Sequence, residues 1–232
     1  MIGQGFGSAL KCVGIMIVDS MTHEEVYLEL ERDRENTSRW WAHQQEGRRR
    51  AVLKCKVFPM IAWQEYTSPR KNKYLFYTRI FDRRMKMILT GICAVRRTSD
   101  GMTLYTTWLG HQKLITPMVL LPHVWKRYRE RMGLELSGID LFKHYFQRNP
   151  FGSDSHNQKA VGRSVRYAGM THLSCCVNDG VLLGQVVGNM FVAHTFITYE
   201  MTSGLQQQEF AERRSEVKTD KDFYVELKSW YS

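Results

Sequence analysis

Polar and apolar positions along the chain fall into stretches of different rhythm, and each rhythm implies an element. Residues 22–57 are dense in charge and predict a helix. Thr22 followed three positions later by Glu25 has the form of a capping box, in which a hydroxyl and a carboxylate satisfy the first orphan N–H groups. Val26, Leu28 and Leu30 alternate, but Glu29 to Glu35 is too charged for a buried strand and reads as a solvated helix face. Gly47 is expected to break the segment, and Arg48-Arg49-Arg50 behind it reads as a solvated basic face.

From Ile61 the texture changes. Pro69 and Asn72 mark a loop, and Tyr74 to Phe81 has the aromatic and β-branched content of a strand. Met87 to Arg96 and Met102 to Leu109 form a second and third run, joined by Thr98-Ser99-Asp100-Gly101, a turn of the Asp-Gly type, so residues 87–109 predict a β-hairpin. Leu114 to Leu121 adds a strand that Pro117 should confine to a sheet edge. Pro122 suits a helix start, giving a helix from His123 to about Met132 stopped by Gly133, and Gly138 to Gln147 repeats apolar residues at helical spacing. Residues 149–170 read as a long loop. Thr171–Val177, Val181–Val187 and Phe191–Tyr199, with short turns between them, predict a three-stranded antiparallel meander. Met201 to Arg213 closes as a helix, and Phe223 to Tyr231 is an aromatic tail element. The fold class is α+β, with helices packed on twisted antiparallel sheet. An N-terminal helical segment (residues 1–60) joins an α+β core (61–232), one compact domain overall.

Composition narrows the class. The 232 residues are 43% hydrophobic and 24% charged, which excludes disordered and low-complexity chains. The net charge of +10 is concentrated: residues 61–150 carry 16 basic and 6 acidic side chains, while the flanking segments nearly cancel. Concentrated positive charge favours an anionic partner, nucleic acid before membrane surface. Cys12, Cys55, Cys93, Cys175 and Cys176 show no CxxC spacing, and an adjacent pair rarely closes a relaxed disulfide. The expectation is idle thiols in a reducing cytoplasm, with Cys175-Cys176 a weak candidate for a nucleophile. MIGQGFGSALK shows no signal-peptide pattern, and the apolar runs are too short for a membrane span. His144 and His156 are too scattered for a metal site, Gly3, Gly5 and Gly7 lack the context of a phosphate loop, and no metal or cofactor is expected.

The segment with candidate chemistry begins at His123. His123, Arg127 and Arg131 stand at i, i+4 and i+8, one above another on a helix face, and a bound phosphate would relieve their repulsion. Arginine forks match phosphate oxygens, and an imidazole transfers protons near neutral pH. Such a set suits metal-independent RNA cleavage: withdrawal of a 2′-hydroxyl proton, protonation of the departing 5′-oxygen, and stabilisation of charge on phosphorus. Thr195 and Thr198 are the candidate hydroxyls from a facing strand, and alternation places Thr195 on one face with His194 and Thr198 on the other. Lys126, Arg129, Arg96, Arg97 and Lys113 are the candidate nucleic-acid contacts around them.

A helix bearing His-x-x-x-Arg-x-x-x-Arg, followed by a connection and a meander ending in a Thr-containing strand, resembles the barnase–EndoU–RelE-like group of small ribonucleases, most of all its toxin-type branches. The resemblance covers roughly residues 115–200. It implies a cytoplasmic ribonuclease acting on RNA, with a possible protein inhibitor, in which His123, Arg127 and Arg131 take the helix positions and Thr195 or Thr198 the strand position. Two further readings stay open. One is a non-catalytic nucleic-acid-binding protein whose Tyr74, Tyr77, Trp108 or Trp125 stack on bases. The other is a phage or mobile-element accessory protein that binds another protein, with the His123 helix merely a solvated basic face.

Overall fold

The computed structural model describes residues 16–84, 88–108, 118–150, 153–154, 172–188 and 190–217. The chain opens with a helix, α1 (His23–Lys54), whose predicted capping box forms: Thr22 Oγ1 accepts the Glu25 N–H at 3.2 Å, and Glu25 Oε2 accepts the Thr22 N–H at 2.7 Å. Gly47 does not end it. The turns around Gly47 are anchored on both sides, by the Arg48 guanidinium stacked 3.7 Å over Trp41 and by the fully buried Val52, which outweighs a cost of about 1 kcal/mol for a mid-helix glycine.

Five strands follow: β1 (Met60–Thr67), β2 (Lys73–Ile80), β3 (Ile88–Thr98), β4 (Gly101–Trp108) and β5 (Met118–Leu120). Two helices, α2 (Pro122–Arg131) and α3 (Gly138–Arg148), precede β6 (Ser153–Asp154), β7 (His172–Val177), β8 (Gly180–Val187) and β9 (Met190–Ile197). A 3-10 turn (Tyr199–Met201) leads to α4 (Leu205–Glu216). The α+β class is as the sequence predicts. The predicted 87–109 hairpin appears with its turn at Ser99-Asp100, and the meander appears as β7–β8–β9.

All described strands join one nine-stranded sheet, in the order β1-β2-β3-β4-β5-β9-β8-β7-β6. Every pairing is antiparallel except β5 with β9. The edge position expected for the strand after Pro117 is therefore corrected: β5 is interior, bridging the two antiparallel halves. Each of the described residues Met118–Leu120 pairs with β4 on one side and β9 on the other. β1 carries no clear strand signal in the sequence, because its side chains are all partly or wholly exposed. Lys113, most of the 149–170 loop and the 223–231 tail lie outside the described residues.

Alternation along the strands makes two cores. Leu75, Cys93, Leu104, Leu120, Ala193 and their neighbours face α2 and α3. Tyr74, Phe76, Ile92, Ala94, Tyr105 and Val192 face α1, and a smaller cluster on Cys176 and Val181 faces α4. The sheet thus carries helices on both faces. Tyr74, Tyr77 and Trp125, expected as base-stacking platforms, are core residues instead, since each fills space between sheet and helix.

Candidate active site

Two helix N-termini meet at one cleft. α2 starts with Pro122, whose ring holds the backbone dihedral a first helical turn needs, and its cap Leu121 offers no side-chain acceptor. The Leu121 N–H donates instead to Ala193 O at 3.3 Å, fastening the start of α2 beside β9. α1 starts with His23. Between them lies a cleft of about 540 Å3. Asp19 and His23 line it from the α1 side, Pro122 and His123 from the α2 side. Arg96, Thr103 and the 98–100 turn close it from the β3–β4 hairpin.

Arg96 reaches this cleft because β3 alternates. It shares the α1 face with Ile92 and Ala94, while Arg97 takes the opposite face and is exposed. Arg96 is only 8% exposed. Its Nη1 donates to Tyr105 Oη at 3.1 Å, and its Nη2 donates to the Asp19 carbonyl and stands 3.7 Å from the Asp19 carboxylate. Its Nε is buried with no hydrogen-bond partner. An unsatisfied guanidinium donor in a cleft wall costs about 1–3 kcal/mol unless an acceptor arrives, which is a pull towards an anionic ligand.

His23 is half-buried, and its Nδ1 lies 2.9 Å from the same Tyr105 hydroxyl. Burial depresses its pKa below the usual histidine value, and the charges of Arg96 and His194 add to the effect. Burial pushes the Tyr105 hydroxyl the other way, upward, partly offset by Arg96.

His194 owes its position to a bulge. Leu183 pairs with Thr195 and Gly184 with Ala193, so His194 is the extra residue of β9, exposed at the surface. The bulge also changes the expected alternation. Beyond it, Phe196 faces the α2–α3 core and Ile197 the α4 cluster, so Thr195 lies on the face away from α2.

The other sequence candidates separate. Arg127 Nε donates to His123 Nε2 at 3.2 Å, and its Nη1 pairs with Glu130 at 3.0 Å. α2 runs alongside β9 in the same direction, with Tyr128 packed edge-on to Phe196 at 5.0 Å. Arg131 is therefore carried away from the cleft. Burial lowers its pKa, and the Arg127 charge lowers it further against the opposing pull of Glu130. Thr198 caps the 3-10 turn, and Thr195 and Thr198 are both absent from the cleft lining. Lys126 and Arg129 are exposed on α2. At that end of α2, Asp179 is clamped by Tyr128, Arg148 and Asn149, a structural tie between α2, α3 and the β7–β8 turn.

Sequence reasoning missed His23 and Tyr105. The available signal was positional: the capping box puts His23 in the first turn of α1, as Pro122 puts His123 in the first turn of α2. Tyr105 gave no local signal. Cys176 is no nucleophile candidate in the fold: it is buried, and burial pushes its thiol up to about 11. Among the described residues no group of three or more His, Cys, Asp or Glu side chains is placed to hold a metal ion, and no helix is long and apolar enough to cross a membrane. Comparison of the chain with protein-family models, curated proteins and solved structures gives no match.

Proposed function

We propose that this protein is a metal-independent endoribonuclease-like enzyme that cleaves RNA phosphodiesters in the cleft between the N-termini of α1 and α2. The observation that carries the reading is the joint presence of His23, His123 and an arginine with an unsatisfied buried donor beside an uncapped helix N-terminus. That combination suits a phosphoryl group, because the helix end and Arg96 both favour negative charge.

In this reading His123 is the proton carrier. The phosphate is a stronger acceptor for Arg127 than an imidazole is, so binding draws the Arg127 Nε–H away and frees His123 Nε2. His123 then takes the proton of the 2′-hydroxyl as that oxygen attacks phosphorus. It returns the proton to the 5′-oxygen as the P–O5′ bond breaks, leaving a 2′,3′-cyclic phosphate and a 5′-hydroxyl. Arg96 meets the charge that develops on the phosphoryl oxygens. Lys126 and Arg129, exposed on α2, and Arg97, exposed on the face of β3 opposite Arg96, are not part of the cleft lining and would hold more distant stretches of the RNA backbone by charge alone.

The test is cleavage of single-stranded RNA in excess EDTA, with end-group analysis. Wild type should release cyclic-phosphate ends and leave the matching DNA intact, and His123→Ala should lower the rate by about 10²–10⁴-fold. Salt-sensitive RNA binding with no cleavage would replace the enzyme by a binding protein. The burial of Tyr74, Tyr77 and Trp125 removes three of the stacking platforms that alternative would use.

A further inference from the structure

We infer that Tyr105 is a positioning residue that holds His23 as a neutral imidazole protonated on Nε2, so that His23 serves the bound phosphoryl group as a hydrogen-bond donor and not as the base. The inference rests on the ribonuclease reading for the identity of the ligand, and on hydrogen-bond direction for everything else.

Direction follows from what each group can do. A guanidinium only donates, so the 3.1 Å contact makes Tyr105 Oη an acceptor from Arg96. Tyr105 then has one hydrogen to place. It is 1% exposed, which keeps that hydrogen from water, and His23 Nδ1 lies 2.9 Å away. Tyr105 therefore donates to Nδ1, and the imidazole proton is left on Nε2. Reversing the His23 bond would make Tyr105 accept twice and bury an unsatisfied hydroxyl hydrogen, which is unfavourable away from water.

The surrounding charges favour the same state. Arg96 from β3 and His194 from β9 disfavour an imidazolium at His23. Of the cleft carboxylates, Asp19 stands 3.7 Å from Arg96, while Asp100 belongs to the hairpin turn. His123 faces the cleft from α2, and Tyr105 from β4 completes the set. The relay Arg96 to Tyr105 to His23 thus aligns three donors in one direction. Its consequence is a division of labour between the two histidines: His23 gives a fixed N–H to the phosphoryl oxygens, and His123 carries the proton.

Two measurements on the full chain test this. The first is a long-range nitrogen–proton NMR correlation of the histidine rings at pH 7.5, in wild type and Tyr105→Phe. His23 should be the Nε2–H tautomer in wild type and a mixture in Tyr105→Phe, which keeps the buried ring and removes only the hydroxyl. A wild-type His23 protonated on Nδ1, or already mixed, overturns the inference whether or not the protein cuts RNA. The second is the pH–rate profile of cleavage. His23→Gln keeps a donor near Nε2 and should retain at least one tenth of the wild-type rate with an unchanged profile. Tyr105→Phe should lower the rate while leaving the ionisation of the base in place. Loss of the ionisation of the base in His23→Gln would make His23 the base and overturn the inference. Absence of cleavage by wild type, with the expected tautomer present, would instead sink the ribonuclease reading and leave Tyr105 as the residue that sets the His23 proton.

Discussion

Gly184 lies so close to Val192 that a Cβ built on it would sit 2.1 Å from the Val192 carbonyl oxygen. The contact is the inner side of the bulge that turns out His194: with two residues of β9 taking the space opposite one step of β8, the strands close on each other at Gly184. The obstacle is backbone, which cannot swing aside.

Gly184→Ala should therefore destabilise the protein by about 3 kcal/mol or more, at or beyond the upper end for overpacking. Urea unfolding followed by circular dichroism checks this. A loss below about 0.5 kcal/mol, the range of an unremarkable surface change, would show that the two strands are not pinned there.

Gly47 is the opposite case. It is exposed in the middle of α1, and a Cβ there meets nothing within 4 Å. Gly47→Ala should stabilise the protein by about 0.5–1 kcal/mol, because alanine loses less backbone freedom on entering a helix. A destabilised variant in the same urea titration would mean that α1 is broken at Gly47, as the sequence alone suggests.

Two buried carboxylates predict the acid limb of stability. Burial alone would raise the Asp33 pKa, but hydrogen bonds donated by Asn36, Asn72 and Tyr74 outweigh it and hold it below the usual aspartate value. Asp179 follows the same balance, with Arg148, Tyr128 and Asn149 as donors. A depressed folded-state pKa stabilises above the unfolded value of about 3.9, and that contribution disappears as pH falls through the folded value. Stability should decline below about pH 4, and the decline should be shallower in Asp33→Asn, which is less stable than wild type at pH 7. An equally steep acid limb in that variant would remove Asp33 from the account.

The thiols should divide by burial. Cys93 is pushed up to about 12 and Cys176 to about 11, both by burial. Alkylation of the native protein at pH 8, read by mass spectrometry of its peptides, should label Cys55 and leave Cys93, Cys175 and Cys176 unmodified until denaturant is added. Rapid native labelling of Cys176 would restore it as a reactive group.

Much of the architecture was legible because its causes are local. The Thr22–Glu25 box, the Asp-Gly turn at residues 100–101, and Pro122 with Gly133 around α2 each act within a few residues. Gly133 indeed adopts φ +62°, the left-handed conformation that ends a helix. The reading failed where an element is held by distant partners. Gly47 stays helical because Arg48 reaches Trp41, and because Val52 is buried. Strand β5 is interior because β9, seventy residues on, pairs with it in parallel.

The candidate site divides in the same way. The sequence by itself determined an α+β chain with its charge in the middle third, and a helix that begins at His123 with arginines one and two turns on. Helix period and capping chemistry require nothing beyond the neighbouring residues. Only the tertiary structure decided which cation stands with which imidazole. Arg96, not Arg131, shares the cleft with His123, and His23 arrives there from a helix one hundred residues earlier. Spacing along a helix fixes which side chains are stacked, but not what the helix N-terminus is pointed at. That is set by the parallel β5–β9 pairing that seats α2 beside β9, and by the alternation of β3 that turns Arg96 inward.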